Sequence, residues 1–199
     1  MLSELANRIF NQAIEDYHLF DEIDHSVANP YAAQDLEHLL YLKCWIDTAQ
    51  WHMEDVVRNP NIEPKEGLYW KRSIDRQNQL RTDTVEFIDS YFLDKYKNVA
   101  PLPNATINTE SPAWAIDRLS ILCLKIYHMR IEAERRTATA LHRNESNEKL
   151  NILLAQQKDL SISIDELIDD IEHGKKYMKT YKQMKMYNDP HLNPVLYKQ

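Results

Sequence analysis

Apolar residues recur three and four positions apart through most of the chain, in runs too long for strands. The spacing predicts five helices, at about 2–20, 31–58, 65–97, 112–142 and 147–174, followed by an irregular tail over 175–199. Leu2, Leu5, Ile9 and Ala13 form the stripe of the first. Asn29-Pro30 has the form of an N-cap with proline at the first helical position, and opens the second. Asn59-Pro60 stops the second, Pro64 restarts the chain into the third, and Ser111-Pro112 caps the fourth. A break near Asn144 to Ser146 opens the fifth, whose stripe Leu150, Leu153, Gln157, Leu160, Ile164, Leu167, Ile171 holds a 3-4 spacing. Short connections between long helices favour antiparallel neighbours. The expected fold is therefore all-α: an up-down four-helix bundle of the second to fifth helices, with the first lying across it. Residues 1–199 are expected to form a single helical domain, since no fixed-period repeat or low-complexity linker interrupts them.

Polar residues break these stripes. The third helix reads Ile74, Asn78, Arg81, Val85, Ile88, Phe92, and the fourth Ile121, Leu124, His128, Ile131, Glu132. If these helices pair so that Lys97 faces Pro112, Arg81 lies level with His128 and Asn78 with Ile131. Matching His142 to Asn147 across the next turn puts Glu132 level with Gln157. The convergence has two readings. One is a closed polar layer that sets helix register. The other is an interhelical pocket in which Arg81 and His128 hold a small anion while Asn78, Glu132 and Gln157 orient it.

A second cluster is Trp51-His52-Met53-Glu54-Asp55 at the end of the second helix, which the same level argument places opposite Lys71, Arg72 and Asp75. His52 and Asp55 are i,i+3 neighbours, able to hydrogen-bond or share a cation. The bland alternative is a helix end with ordinary charge pairs.

At these residues the chain resembles, along almost its entire length, an uncharacterised bacterial family of unknown function. Trp51-His52-Met53-Glu54-Asp55, Ser73 to Asp83 (SIDRQNQLRTD), Glu110 to Ser120 (ESPAWAIDRLS) and Gln183 to Pro190 (QMKMYNDP) carry the resemblance. Family members commonly have Asn-Leu before the Trp-His pair, where this chain has Ala49-Gln50. The resemblance implies no established activity.

Other chemistry is weaker. Di-iron bundles place Glu-x-x-His motifs on opposed core helices; here Glu15-x-x-His18 and Glu22-x-x-His25 both fall at the first helix and its exit, so no metal ligand set is assigned. A metal-dependent hydrolase acting on a phosphorylated substrate would use His52, Glu54 and Asp55, with Glu86 and Asp89 at mismatched levels. The loop before Ser111, with Arg118 two turns on, suits an anion at a helix N-terminus, but simple capping by Ser111 is the preferred reading. Lys175, Lys176, Lys179, Lys182 and Lys185, interleaved with Tyr177, Tyr181 and Tyr187, form the one basic run.

Composition narrows the field. Two glycines in 199 residues, where average usage predicts roughly fourteen, leave no dinucleotide fingerprint, Walker loop or nucleophile elbow. A net charge of −7 disfavours nucleic acid as a partner. No apolar run spans a membrane and no signal peptide is read, so the expectation is a cytoplasmic protein, with Cys44 and Cys123 as reduced core thiols. These residues name no cofactor. A small anionic molecule is the expected partner, with oligomerisation and enzymatic activity left open. The alternative is a structural or protein-partner module whose polar layer only sets register.

Overall fold

The structure, a computed structural model, describes residues 1–182, 186 and 189–197. It is an all-α bundle: α1 (Leu2–His18), α2 (Leu36–Val57), α3 (Pro64–Lys95), α4 (Pro112–Glu134), α5 (Ala140–Glu172) and a short α6 (Pro194–Tyr197). Two short strands, β1 (Thr106–Ile107) and β2 (Lys176–Tyr177), pair in parallel, so the tail begins as a strand docked on the α3–α4 loop and is not wholly irregular. No helix among the described residues is long and apolar enough to cross a membrane.

The α2–α3 and α4–α5 neighbours follow expectation, but α1 does not lie across a completed bundle. It packs against α2, α4 and α5. Ala6, Ile9, Phe10, Ala13, Ile14 and Tyr17 are all sealed from solvent. These residues form a face two rows wide, broader than the narrow stripe read from Leu2 to Ala13, and a face that wide needs neighbours on more than one side. Among the described residues the α3 backbone comes close to that of α2 and α4 but not to that of α5.

Two helix starts differ from the sequence reading. Asn29 does not cap α2; its carbonyl oxygen accepts from Tyr31 N at 3.1 Å and its amide donates to His38 O at 3.0 Å, a local side-chain turn that holds the loop. The helix begins at Leu36, with Asp35 as N-cap. The α4–α5 turn comes earlier than Asn144: α4 ends at Glu134, and Thr139 caps α5 by accepting from His142 N at 3.2 Å. The remaining boundaries shift by a few residues at helix ends.

Gly174 ends α5 with φ +68°, and a Cβ there would stand 2.6 Å from Ala100 O. Both the backbone angle and the close approach require glycine. The approach lets Leu102 N donate to Gly174 O at 2.8 Å, which starts the pairing of β1 with β2.

Candidate functional site

The centre of the bundle carries a charge cluster joining α2, α3 and α4. Lys43 and Asp47 sit one turn apart on α2, Lys43 wholly buried, and the ammonium binds the Asp47 carboxylate directly. Lys43 also lies 3.0 Å from Asp117 Oδ1 and donates to Asp117 O at 2.9 Å. From α3, Arg81 clamps Asp117 with Nε to Oδ1 at 2.8 Å and Nη2 to Oδ2 at 2.5 Å, and its Nε is 3.5 Å from Asp47 Oδ1. Ser120 Oγ donates to Asp47 Oδ2 at 2.7 Å. Two cations thus meet two carboxylates, and every member of the cluster has a partner, as a buried ion network requires. Burial pushes the Asp47 carboxyl up, with the neighbouring Asp117 adding to the rise, against the pull of Lys43 and Ser120. Burial would raise Asp117 as well, yet Lys43 and Arg81 together hold it below its usual range.

Above this cluster lies a cleft of about 410 Å³. Asp47, Gln50, Trp51, Glu54 and Asp55 of α2 line one side with Arg58, and Arg81, Ile121 and Leu124 complete it. Glu54 pairs with Arg58 at 3.1 Å, and Asp55 has no ion-pair partner among the described residues. Beside the cleft, Trp51 stacks on His128 with ring centroids 4.7 Å apart and planes 5° from parallel. Beyond Trp51 is a cluster of imidazoles, His18, His52 and His128. Burial, then the neighbouring His18 and His52, lowers the His128 pKa to about 4. Burial and His18 lower that of His52 as well.

The five residues expected to share one layer are dispersed. Arg81 meets Asp117 rather than His128, because Ser111 at the start of α4 donates to Asp89 at 2.8 Å. The end of α3 therefore overshoots α4, and the assumed match of Lys97 to Pro112 slides by about two and a half turns. Asn78 accepts from Gln50 at 3.1 Å, at the edge of the cleft. The early α4–α5 turn puts Glu132 against His142 at 2.8 Å and Arg135 at 3.1 Å, not against Gln157. Gln157 instead donates to Asn7 Oδ1 at 2.8 Å and to Cys123 Sγ at 3.3 Å. The inserted α1 supplies the first of these partners.

In the second cluster, Trp51, Glu54 and Asp55 come together at the cleft and His52 joins the imidazoles. Arg72 is exposed, and Asp75 binds Lys71 one turn away on α3. Glu86 and Asp89 are not brought to Glu54 and Asp55; Asp89 caps toward Ser111 instead. At that helix start Ser111 Oγ accepts from Trp114 N at 3.4 Å and Arg118 pairs with Glu110 at 2.7 Å, the simple capping arrangement. Lys175 pairs with Asp169 and Asp170, and Lys176 with Asp170. Lys185 and Tyr187 lie outside the described residues.

Sequence reasoning missed Lys43, Asp47, Asp117 and the partnership of His18. The first two carried a signal: an i,i+4 Lys-Asp pair in a stretch, Leu39 to Asp47, whose other residues are all apolar or aromatic. His18 was discounted because its helix was placed outside the bundle.

Residues 37–180 match a family described as a protein of unknown function, DUF4254. The chain belongs to this family. That span contains the buried cluster, the cleft and two of the three imidazoles, His52 and His128, while His18 precedes it. Comparison with curated proteins and with solved structures finds no match.

Proposed function

We propose that this DUF4254 protein binds a small uncharged or cationic organic ligand in the α2–α3–α4 cleft, against Trp51, Ile121 and Leu124, with Gln50, Asp55 and the exposed edge of Arg81 as polar contacts. The observation that carries this reading is the charge balance of the lining. Asp47 and Arg81 are neutralised by Lys43 and Asp117 behind them, Glu54 is paired with Arg58, and Asp55 is left over. An anion, the class expected from sequence, would have to displace Asp117 from Arg81 and approach Glu54 and Asp55, at a cost in both steps. A mostly apolar concavity with a few fixed polar groups is the usual form of a small-molecule site. Of the residues expected to bind ligand, Arg81 would face it directly, Asn78 acts only through Gln50, and His128 supports the site through Trp51.

The buried cluster itself supports the register reading. Lys43 reaches no solvent, and every bond of the cluster except the Lys43–Asp47 pair within α2 joins two of the helices α2, α3 and α4, so its work is to hold the helices that shape the cleft.

The test is a thermal-shift and calorimetric screen against metabolites sorted into anionic, uncharged and cationic sets, using wild type and Ile121→Trp, which fills the cleft. Wild type should bind members of the uncharged or cationic sets, and Ile121→Trp should weaken them at least tenfold. Binding confined to anions, or unaffected by Ile121→Trp, overturns the proposal.

A further inference from the structure

One ring nitrogen from each of His18, His52 and His128 lies within 4.8 Å of the other two, where the end of α1 and the last turns of α2 meet α4. His18 Nε2 and His52 Nε2 are 3.2 Å apart. A tetrahedral zinc site with Zn–N bonds of about 2.0–2.1 Å separates its nitrogens by about 3.4 Å. We propose that His18, His52 and His128 form a binding site for a zinc-class divalent transition-metal cation, with the fourth position left to water.

The ring chemistry argues for a cation over a purely structural aromatic cluster. His18 Nδ1 is 2.6 Å from Ile14 O, and a carbonyl only accepts, so Nδ1 carries a proton and Nε2 is the nitrogen left to face His52. An N–H donated to a main-chain carbonyl is also the partner that metal-bound imidazoles typically have. His128 Nε2 is buried and makes no hydrogen bond. A buried polar atom left in this way is costly unless something binds it. Three ring nitrogens therefore converge with one nearby anion, Asp21 Oδ1, 3.8 Å from His52 Nε2; in the metal-free protein His52 Nε2–H donates to His18 Nε2, and a cation would take the place of that proton.

The surroundings hold the rings in place. Trp51 stacks on His128, and Tyr17 stacks on His52 at 5.3 Å with planes 9° apart. Asp21 follows α1 at φ +53°, a left-handed turn that aspartate tolerates better than most residues, and the turn brings its carboxylate back to the cluster. Imidazole donors suit zinc, copper and nickel, not magnesium or calcium. The site is separate from the cleft and needs no ligand there; Trp51 is their common wall.

Metal-stripped full-length protein is titrated with Zn²⁺ by calorimetry and with Co²⁺ by visible absorption. Ring ¹H–¹⁵N correlation spectra follow all eight histidines. The expected result is one equivalent per chain, the absorption of tetrahedral Co²⁺, and shifts at His18, His52 and His128 before any other histidine. His52→Gln, at a partly exposed position, should weaken Zn²⁺ at least about 100-fold, while His25→Gln should bind as wild type. No stoichiometric binding, full affinity in His52→Gln, or shifts centred on other histidines overturns the proposal. Should His52→Gln fail to fold, the wild-type ring spectra decide alone.

Discussion

Arg81 of α3 grips Asp117 of α4 through two hydrogen bonds, 2.8 and 2.5 Å, and the same carboxylate is shared with Lys43 of α2. One side chain thereby sets three helices against each other. Replacing Asp117 by Ala leaves a fully buried ammonium and a half-buried guanidinium short of a partner. Removing one member of a buried ion pair costs about 3–5 kcal/mol. Urea unfolding of Asp117→Ala against wild type should show a loss of that size, and a loss under about 1 kcal/mol would mean the network behaves like a surface pair.

The pH dependence follows from the same residue. Lys43 and Arg81 hold Asp117 below the usual carboxylate range against burial, which alone would raise it. A depressed carboxyl contributes stability that is complete above its unfolded pKa of about 3.9 and is lost as pH falls through the folded value. The stability gap between wild type and Asp117→Asn should therefore be full at neutral pH and close below about pH 4. Asp47 runs the other way, because its folded pKa is raised; its neutral form is the one the fold favours, and that contribution fades as pH rises. Denaturation midpoints of wild type, Asp117→Asn and Asp47→Asn across an acid series separate the two.

Gly174→Ala should destabilise by more than about 1 kcal/mol, since it combines a positive φ with a 2.6 Å approach to Ala100 O. The loss should be local first: hydrogen exchange at the Leu102 amide, which donates to Gly174 O, speeds up before the bundle amides do. Unchanged protection at Leu102 would contradict this.

Cys44 and Cys123 should not react with a thiol reagent in the native state. Burial pushes both thiols up, Cys123 to about 11, and both are sealed from solvent. Labelling by an aromatic disulfide should begin only as denaturant unfolds the chain, and one cooperative transition is expected if residues 1–199 act as a single helical domain.

Much of the bundle was legible in the order of residues because helix periodicity and caps are local. Pro64 and Ser111-Pro112 start helices where they stand, and Leu160, Ile164, Leu167 and Ile171 line one face of α5. Cleft residues were also visible, Arg81 as a polar interruption of an apolar stripe and Trp51, Glu54 and Asp55 as a cluster at the end of the second helix. What each would touch was not. A turn at Thr139 instead of Asn144 moves Glu132 from Gln157 to His142, because a shifted turn offsets every pairing along the two helices that it joins.

The sequence by itself determined that this is a helical protein without glycine-loop chemistry, since both follow from composition and short-range spacing. The tertiary structure alone decided that α1 enters between α2 and α5, that Asp117 reaches Arg81, and that three histidines from three helices meet beside Asp21. Those contacts join residues far apart in the chain. Their geometry depends on how helices slide and rotate during packing, a degree of freedom that no local pattern records.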